Sequence, residues 1–239
     1  MKAKRVKKLD RSEPLADNAA RIVRVRLKEM RSFVPRALEP GDIDAQHDMR
    51  IAAKRLRYVL ESTEFCLGRP AQTARRRARD LQDVLGELHD CDVMLPRVET
   101  HLAELREADA AVVRKRAGRA SDIDPRLAAR ASHRTSYRGL EILIVYLQAR
   151  RDLLFDRFRE FWAEQERAGT WDRLERTVGR RLRAAKERHR AAERAELARL
   201  ELEAAERAER DAASRAASAA AELEAAQRTV RSGVLRPGV

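Results

Sequence analysis

The chain has 239 residues, a formal net charge of +13 and 38% charged side chains, but only 4% aromatics. No apolar run approaches the roughly 20 residues a membrane span needs, and all aromatics lie at or before Trp171, so a membrane-spanning chain and a second compact core beyond Trp171 are both excluded as expectations. Residues 172–239 carry 16 basic and 12 acidic side chains, a net of +4, which leaves +9 for residues 1–171; such a field attracts polyanions, whether nucleic acid, an anionic membrane surface or polyphosphate.

In chain order, "MKAKRVKKLD" is basic with no hydrophobic segment after it, so residues 1–13 read as a disordered cationic arm rather than a secretory signal. Pro14 suits the first turn of a helix running to about Leu38, and "EPGD" (39–42) stops it. A second helix is expected from about Ala45 to Cys66, ended by "LGRP", and a third from about Ala71 to Leu88. A fourth runs from Asp92 to about Lys115 with Pro96 in its first turn, and "GRASDIDP" (118–125) is a linker. A long helix follows from about Arg126 to Arg167. Its apolar positions, Leu140 to Trp162, fall at helical spacing and read as a core seam. "AGTW" breaks it. Residues 172–239 favour a solvated, partly disordered helical tail. Leu174, Val178 and Leu182 open a heptad that Ala185, His189 and Ala192 dilute, a coiled-coil dimer is the alternative, and "SGVLRPGV" is read as disordered. The fold class is therefore all-α: antiparallel helical bundles with long helices (residues 14–171) and an extended Ala/Glu/Arg-rich helical tail. Cys66 and Cys91 sit in apolar helical patterns and read as free thiols of a reducing cytoplasm.

The second helix, "QHDMRIAAKRLRYVLE", holds the sharpest signal. With Arg50 at zero and about 100° per residue, His47, Lys54 and Arg57 fall within roughly 60° of it, whereas Met49, Ala53, Leu56 and Leu60 cluster near −60° to −120°. The cations form one stripe beside the core seam, with Tyr58 adjoining. Solubilising charge would mix signs and sit opposite the core. Like charges at i, i+3 and i+4 repel by a few tenths of a kcal/mol per pair, which a bound anion would offset. The third helix repeats the pattern with Arg75, Arg76, Arg79, Gln82 and His89. Arg130, Arg134 and Arg138, with Tyr137 beside them, form a third stripe. Arginine forks bind phosphate oxygens in pairs, and Lys and protonated His add point charge, so convergence of the stripes in a bundle would make a phosphate-binding groove.

His47, Arg50, Lys54-Arg55, Arg57-Tyr58 and Glu61, followed by Leu81, Gln82, Leu85-Gly86, Asp90, Asp92 and Val93, resemble the CHAD domain family, the conserved histidine α-helical domain. The resemblance implies antiparallel helical bundles with a basic groove that binds inorganic polyphosphate. Family members are common in bacteria; some are fused to a triphosphate-tunnel domain and others associate with storage granules. The full form has two four-helix halves, each with a His/basic helix. Here "SHRTSYRGLEILIVYLQARRD" is basic but lacks a second copy of the His47 pattern, so the chain looks like the short form, and a homodimer could supply the missing half. His89 stands where many relatives have Arg.

The expectation is a non-catalytic, cytoplasmic polyphosphate binder, at polyphosphate or storage granules, with no cofactor and no metal. Its primary site is His47, Arg50, Lys54 and Arg57, with Tyr58 beside them. Arg75, Arg76, Arg79 and His89 come second, and Arg130, Arg134 and Arg138 third. Nucleic-acid binding is the alternative on charge alone. An HD-type phosphohydrolase, suggested by His47-Asp48 and His89-Asp90, is the remote one, since cations around His47 would repel a divalent metal. No Glu-x-x-His pair, ExExK strand or phosphate-binding glycine loop occurs.

Overall fold

The computed structural model describes residues 3–233, with side chains as far as residue 229. Its elements are α1 (Leu15–Arg31), α2 (Val34–Ala37), α3 (Ile43–Leu67), α4 (Arg69–Ala117), α5 (Pro125–Ala129), α6 (Arg134–Arg167) and α7 (Thr170–Gly233), with no strand among the described residues. The protein is an all-α helical bundle with long helices. It divides into two units, Met1–Leu182 and Arg183–Val239.

In the first unit α3 packs against α1, α2 and α4, and α4 packs against α6. The core joins Val23, Leu27 and Met30 of α1, Met49, Leu56 and Leu60 of α3, Leu81, Leu85 and Leu88 of α4, and Phe155, Phe158 and Trp162 of α6. Trp171, Leu174 and Val178 are buried with them, so the globular part passes the expected boundary at residue 171 and takes in the first turns of α7. Trp162 and Trp171 stack with centroids 5.9 Å apart across the turn at Gly169. Long-range ion pairs tie the helices, including Arg181 with Asp17 at 2.7 Å and Arg31 with Asp172 at 2.9 Å.

Several helix boundaries differ from expectation. The first helix stops at Arg31 because Pro35 has no N–H for a bond to the carbonyl of residue 31; α2 restarts with Pro35 in its first turn. The expected third and fourth helices are one helix of 49 residues. Nothing in "LHDCD" breaks it, and Pro96 lies inside it. The expected long helix at 126–167 is instead divided at Arg130–His133. Asp109, buried on α4, makes that break: it accepts the backbone N–H of His133 at 2.9 Å, pairs with His133 Nδ1 at 2.9 Å and accepts the Tyr137 hydroxyl at 2.5 Å. The Tyr137 hydrogen bond holds this carboxyl below its usual range. The arm has no regular helix, but Lys4 N donates to Glu29 Oε1 at 3.0 Å and Asn18 Nδ2 to Asp10 O at 2.6 Å, so its described part is tethered. Residues 1–2, in the expected disordered arm, lie outside the described residues.

The turn between α3 and α4 is a single residue. Gly68 has φ +73°, which only glycine adopts without strain, and it is at once the C-cap of α3 and the N-cap of α4. Asp42 caps the start of α3 by accepting Ala45 N at 2.9 Å.

The second unit is the remainder of α7, helical to Gly233 rather than partly disordered; of the expected disordered "SGVLRPGV", residues 234–239 lie outside the described residues. Its side chains are almost all exposed, and ion pairs such as His189–Glu193 and Arg199–Glu203 lie along its surface.

Candidate polyanion-binding site

The seam between α3 and α4 is built from small residues: Ala45, Ala52 and Ala53 on one side, Ala71, Ala74 and Ala78 on the other, all fully or nearly fully buried. Short side chains let the helices lie close, so residues flanking the seam on either helix reach each other. They run antiparallel. His47 and His89 rings sit 4.6 Å apart at 45°, and Arg75 Nε reaches Glu64 Oε2 at 2.6 Å near the other end. Between them Arg50 crosses over Gly86, where an added Cβ would lie 3.7 Å from Arg50 Nε. This register sets Gln82 level with Lys54 and Arg79 near Arg57.

Along this band, polar atoms are buried without partners. His47 Nδ1, Arg50 Nε, Arg57 Nε, Gln82 Oε1 and His89 Nδ1 make no hydrogen bond, and only Gln165 Nε2 and Trp171 Nε1 share that condition elsewhere among the described residues. A buried orphan group costs about 1–3 kcal/mol, so such a concentration calls for a partner. Arg57 lies 4.0 Å from Glu61, too far for a hydrogen bond, and its guanidinium instead covers the Tyr58 ring at 4.7 Å. Lys54 Nζ is 5.9 Å from the same ring, and Tyr58 is 48% exposed. Away from the band, half-buried arginines are paired: Arg26 with Glu29, Arg31 with Asp172, Arg150 with Glu87, Arg151 with Asp92 and Arg181 with Asp17.

Burial, and then the charges of His47 and Arg50, hold the His89 imidazole below its ordinary pKa, against the pull of Asp90 and Asp92. His89 is therefore neutral at neutral pH, and an anion laid along the band raises its proton affinity.

The sequence-expected residues separate into groups. His47, Arg50, Lys54, Arg57, Tyr58 and His89 come together. Arg76 and Arg79 are exposed on a surface depression of about 810 Å³ on α4, which also holds Asp80 and Asp83; Arg79 is 3.9 Å from Asp83. Arg75 is occupied by Glu64. Arg130, Arg134 and Arg138 do not join the band. Arg134 donates to Ala129 O at 2.7 Å, and α6 runs antiparallel to α4, so its first turns meet α4 at Asp109. That point is about five and a half turns past His89, or roughly 30 Å along the helix. Wheel reasoning missed the neutralising carboxylates Glu64, Asp80 and Asp83. Asp80, at i+3 from Arg77, and Asp83, at i+4 from Arg79, were visible on the same helix, whereas Glu64, which pairs with Arg75, belongs to the other one. Cys66 and Cys91 are free thiols. Among the described residues no helix is long and apolar enough to cross a membrane, and no group of three or more His, Cys, Asp or Glu could hold a metal ion.

No curated protein and no solved structure matches the chain. The family model described as "CHAD domain" matches residues 2–99, a span that contains α1 to α3, the Gly68 turn and the half of α4 that carries His89. Over this segment the chain is similar to the CHAD domain family.

Proposed function

We propose that the protein binds inorganic polyphosphate, or a similar phosphate polymer, along the α3–α4 band and does no chemistry on it. His47, Arg50, Lys54, Arg57 and His89 hold the chain, with Arg76 and Arg79 at its exit. The observation that carries this reading is the row of buried, partnerless nitrogens in a protein that pairs its other half-buried arginines with carboxylates. Phosphate oxygens every few ångströms along a polymer suit donors presented in a line. Similarity over residues 2–99 to a family associated with polyphosphate supports the same ligand. The corresponding location is the cytoplasm, at polyphosphate granules.

Nucleic acid is the second reading. Base stacking needs open aromatic faces, and the aromatic in the band, Tyr58, has Arg57 over its ring. A competition titration separates the two: long-chain polyphosphate resists displacement by single-stranded or duplex DNA at equal phosphate concentration. Displacement by DNA at parity would refute polyphosphate specificity.

The tail gives a companion prediction. Residues 191–239 hold 8 basic and 9 acidic side chains, so their removal leaves polyphosphate affinity and its salt dependence unchanged. A clear loss of affinity would place the site elsewhere.

Protonation gives another. Because burial and the neighbouring cations hold His89 neutral in the free protein and an anion would charge it, binding takes up a proton, and affinity rises as pH falls from neutrality toward the depressed pKa of the free imidazole. Calorimetry in buffers of different ionisation enthalpy measures that uptake, and His89→Gln reduces it. Affinity independent of pH across this range would sink the role given to His89.

A further inference from the structure

Helix α6 is apolar on two opposite faces. At about 100° per residue, Leu147, Leu154 and Phe158 share the buried face, and Ile142, Val145, Tyr146, Ala149 and Leu153 share the other. On that second face Ile142, Val145, Tyr146 and Leu153 are 60%, 65%, 56% and 54% exposed. Other exposed large apolar residues of the first unit, such as Leu9, Phe65 and Val112, are scattered singly and need no explanation. The α6 residues recur at i, i+3 or i+4, i+7 and i+11 and make one stripe about three turns long. An exposed apolar stripe of this length, on the side of a helix away from its packed face, marks an interaction surface.

The charges that continue the stripe identify what covers it. Toward the start of α6 the same face carries Arg138, and toward its end Glu160. Both are exposed, and neither has an ion-pair partner among the described residues. Two copies of α6 laid antiparallel about Ala149 set Arg138 against Glu160 twice and Val145 against Leu153 twice. The small Ala149 on the axis lets the helices approach. Ile142 then faces Asp156 and Tyr146 faces Asp152, the two pairs in which an apolar or aromatic side chain meets a carboxylate. A parallel arrangement would set Arg138 against Arg138 and Glu160 against Glu160. We infer that the outward face of α6 is a self-complementary, antiparallel interface with a second copy of this chain. It lies outside the segment shared with the CHAD family and is independent of the α3–α4 band.

Sedimentation of the full chain at micromolar concentration tests it. The expected result is a species of twice the chain mass that becomes monomeric with Ile142→Glu or Leu153→Glu, with helical circular dichroism unchanged because both positions face solvent in one copy. Arg138→Glu or Glu160→Arg alone weakens the dimer by about tenfold or more, and the two together restore it. In a Cys66→Ser, Cys91→Ser background, Ala149→Cys forms a disulfide between copies on oxidation. A chain that stays monomeric overturns the inference. So does a dimer insensitive to Leu153→Glu, or a double charge reversal that restores nothing. The charge-reversal set keeps the test decisive should either glutamate variant misfold.

Discussion

Replacing Arg50 and Arg57 together by alanine lowers polyphosphate affinity by about two orders of magnitude. The two side chains contribute charge-assisted hydrogen bonds worth about 1.5–3 kcal/mol each, and roughly 1.4 kcal/mol is a tenfold change. Even the low end of that range reaches a hundredfold. The salt dependence shifts as well. By the single-strand relation for counterion release, each lost phosphate contact flattens the slope of log affinity on log salt by about 0.7, so the double variant loses about 1.4. Both arginines are partly exposed and neither holds a carboxylate at hydrogen-bonding distance, so the fold survives their loss. A matched control removes two tail cations, Arg194 and Arg210, and leaves both quantities unchanged. Affinity titrations at several salt concentrations decide the matter; an unaltered slope in the double variant means that these residues do not touch the polymer.

The largest stability effect is expected at Arg151. Its Nε donates to Asp92 Oδ1 at 2.6 Å, and its Nη2 donates to Pro40 O at 3.0 Å and Gln46 Oε1 at 3.2 Å. One side chain thus joins α6 to α4 and to the loop that starts α3. The Asp92 side chain is only 5% exposed. Arg151→Ala leaves a buried carboxylate without its partner, at a cost of about 3 kcal/mol or more. For a unit of this size each kcal/mol moves Tm by about 2–4 °C, so a drop of roughly 6–12 °C is expected. Arg151→Ala with Asp92→Ala removes the orphan charge too and recovers part of the loss. Thermal unfolding of both variants checks this; a single variant that melts within a degree or two of the parent would show that Asp92 is solvated and the pair contributes little.

The legible parts of the structure were those set by neighbours within a turn or two. Helix α3 was readable from its apolar spacing and from the stops "EPGD" and "LGRP" on either side, and its cationic stripe from the same wheel. What escaped is carried by pairs distant in sequence. The break before α6 is made by Asp109, which reaches His133 24 residues away, and nothing near His133 announces it. Arg75 reads as a free cation until α3 brings Glu64 to it across the turn. The single long α4 was hidden for a different reason. Pro96 suggested a new first turn, but loss of one N–H did not end a helix held by Leu88 and Cys91 on one side and Val98 and Leu102 on the other. The third stripe failed for the same long-range cause, because only the antiparallel course of α6 decides which end of α4 its arginines meet.

The one-residue reversal at Gly68 leaves the α3–α4 hairpin no slack. A single residue inserted there would turn α4 by about 100° and carry His89 away from His47. The spacing between the two banks of cations is therefore set at synthesis, before any ligand arrives. A polymer meeting this hairpin lays itself into a rigid mould and forfeits mainly its own flexibility, so affinity should grow with chain length until the mould is full and then level off.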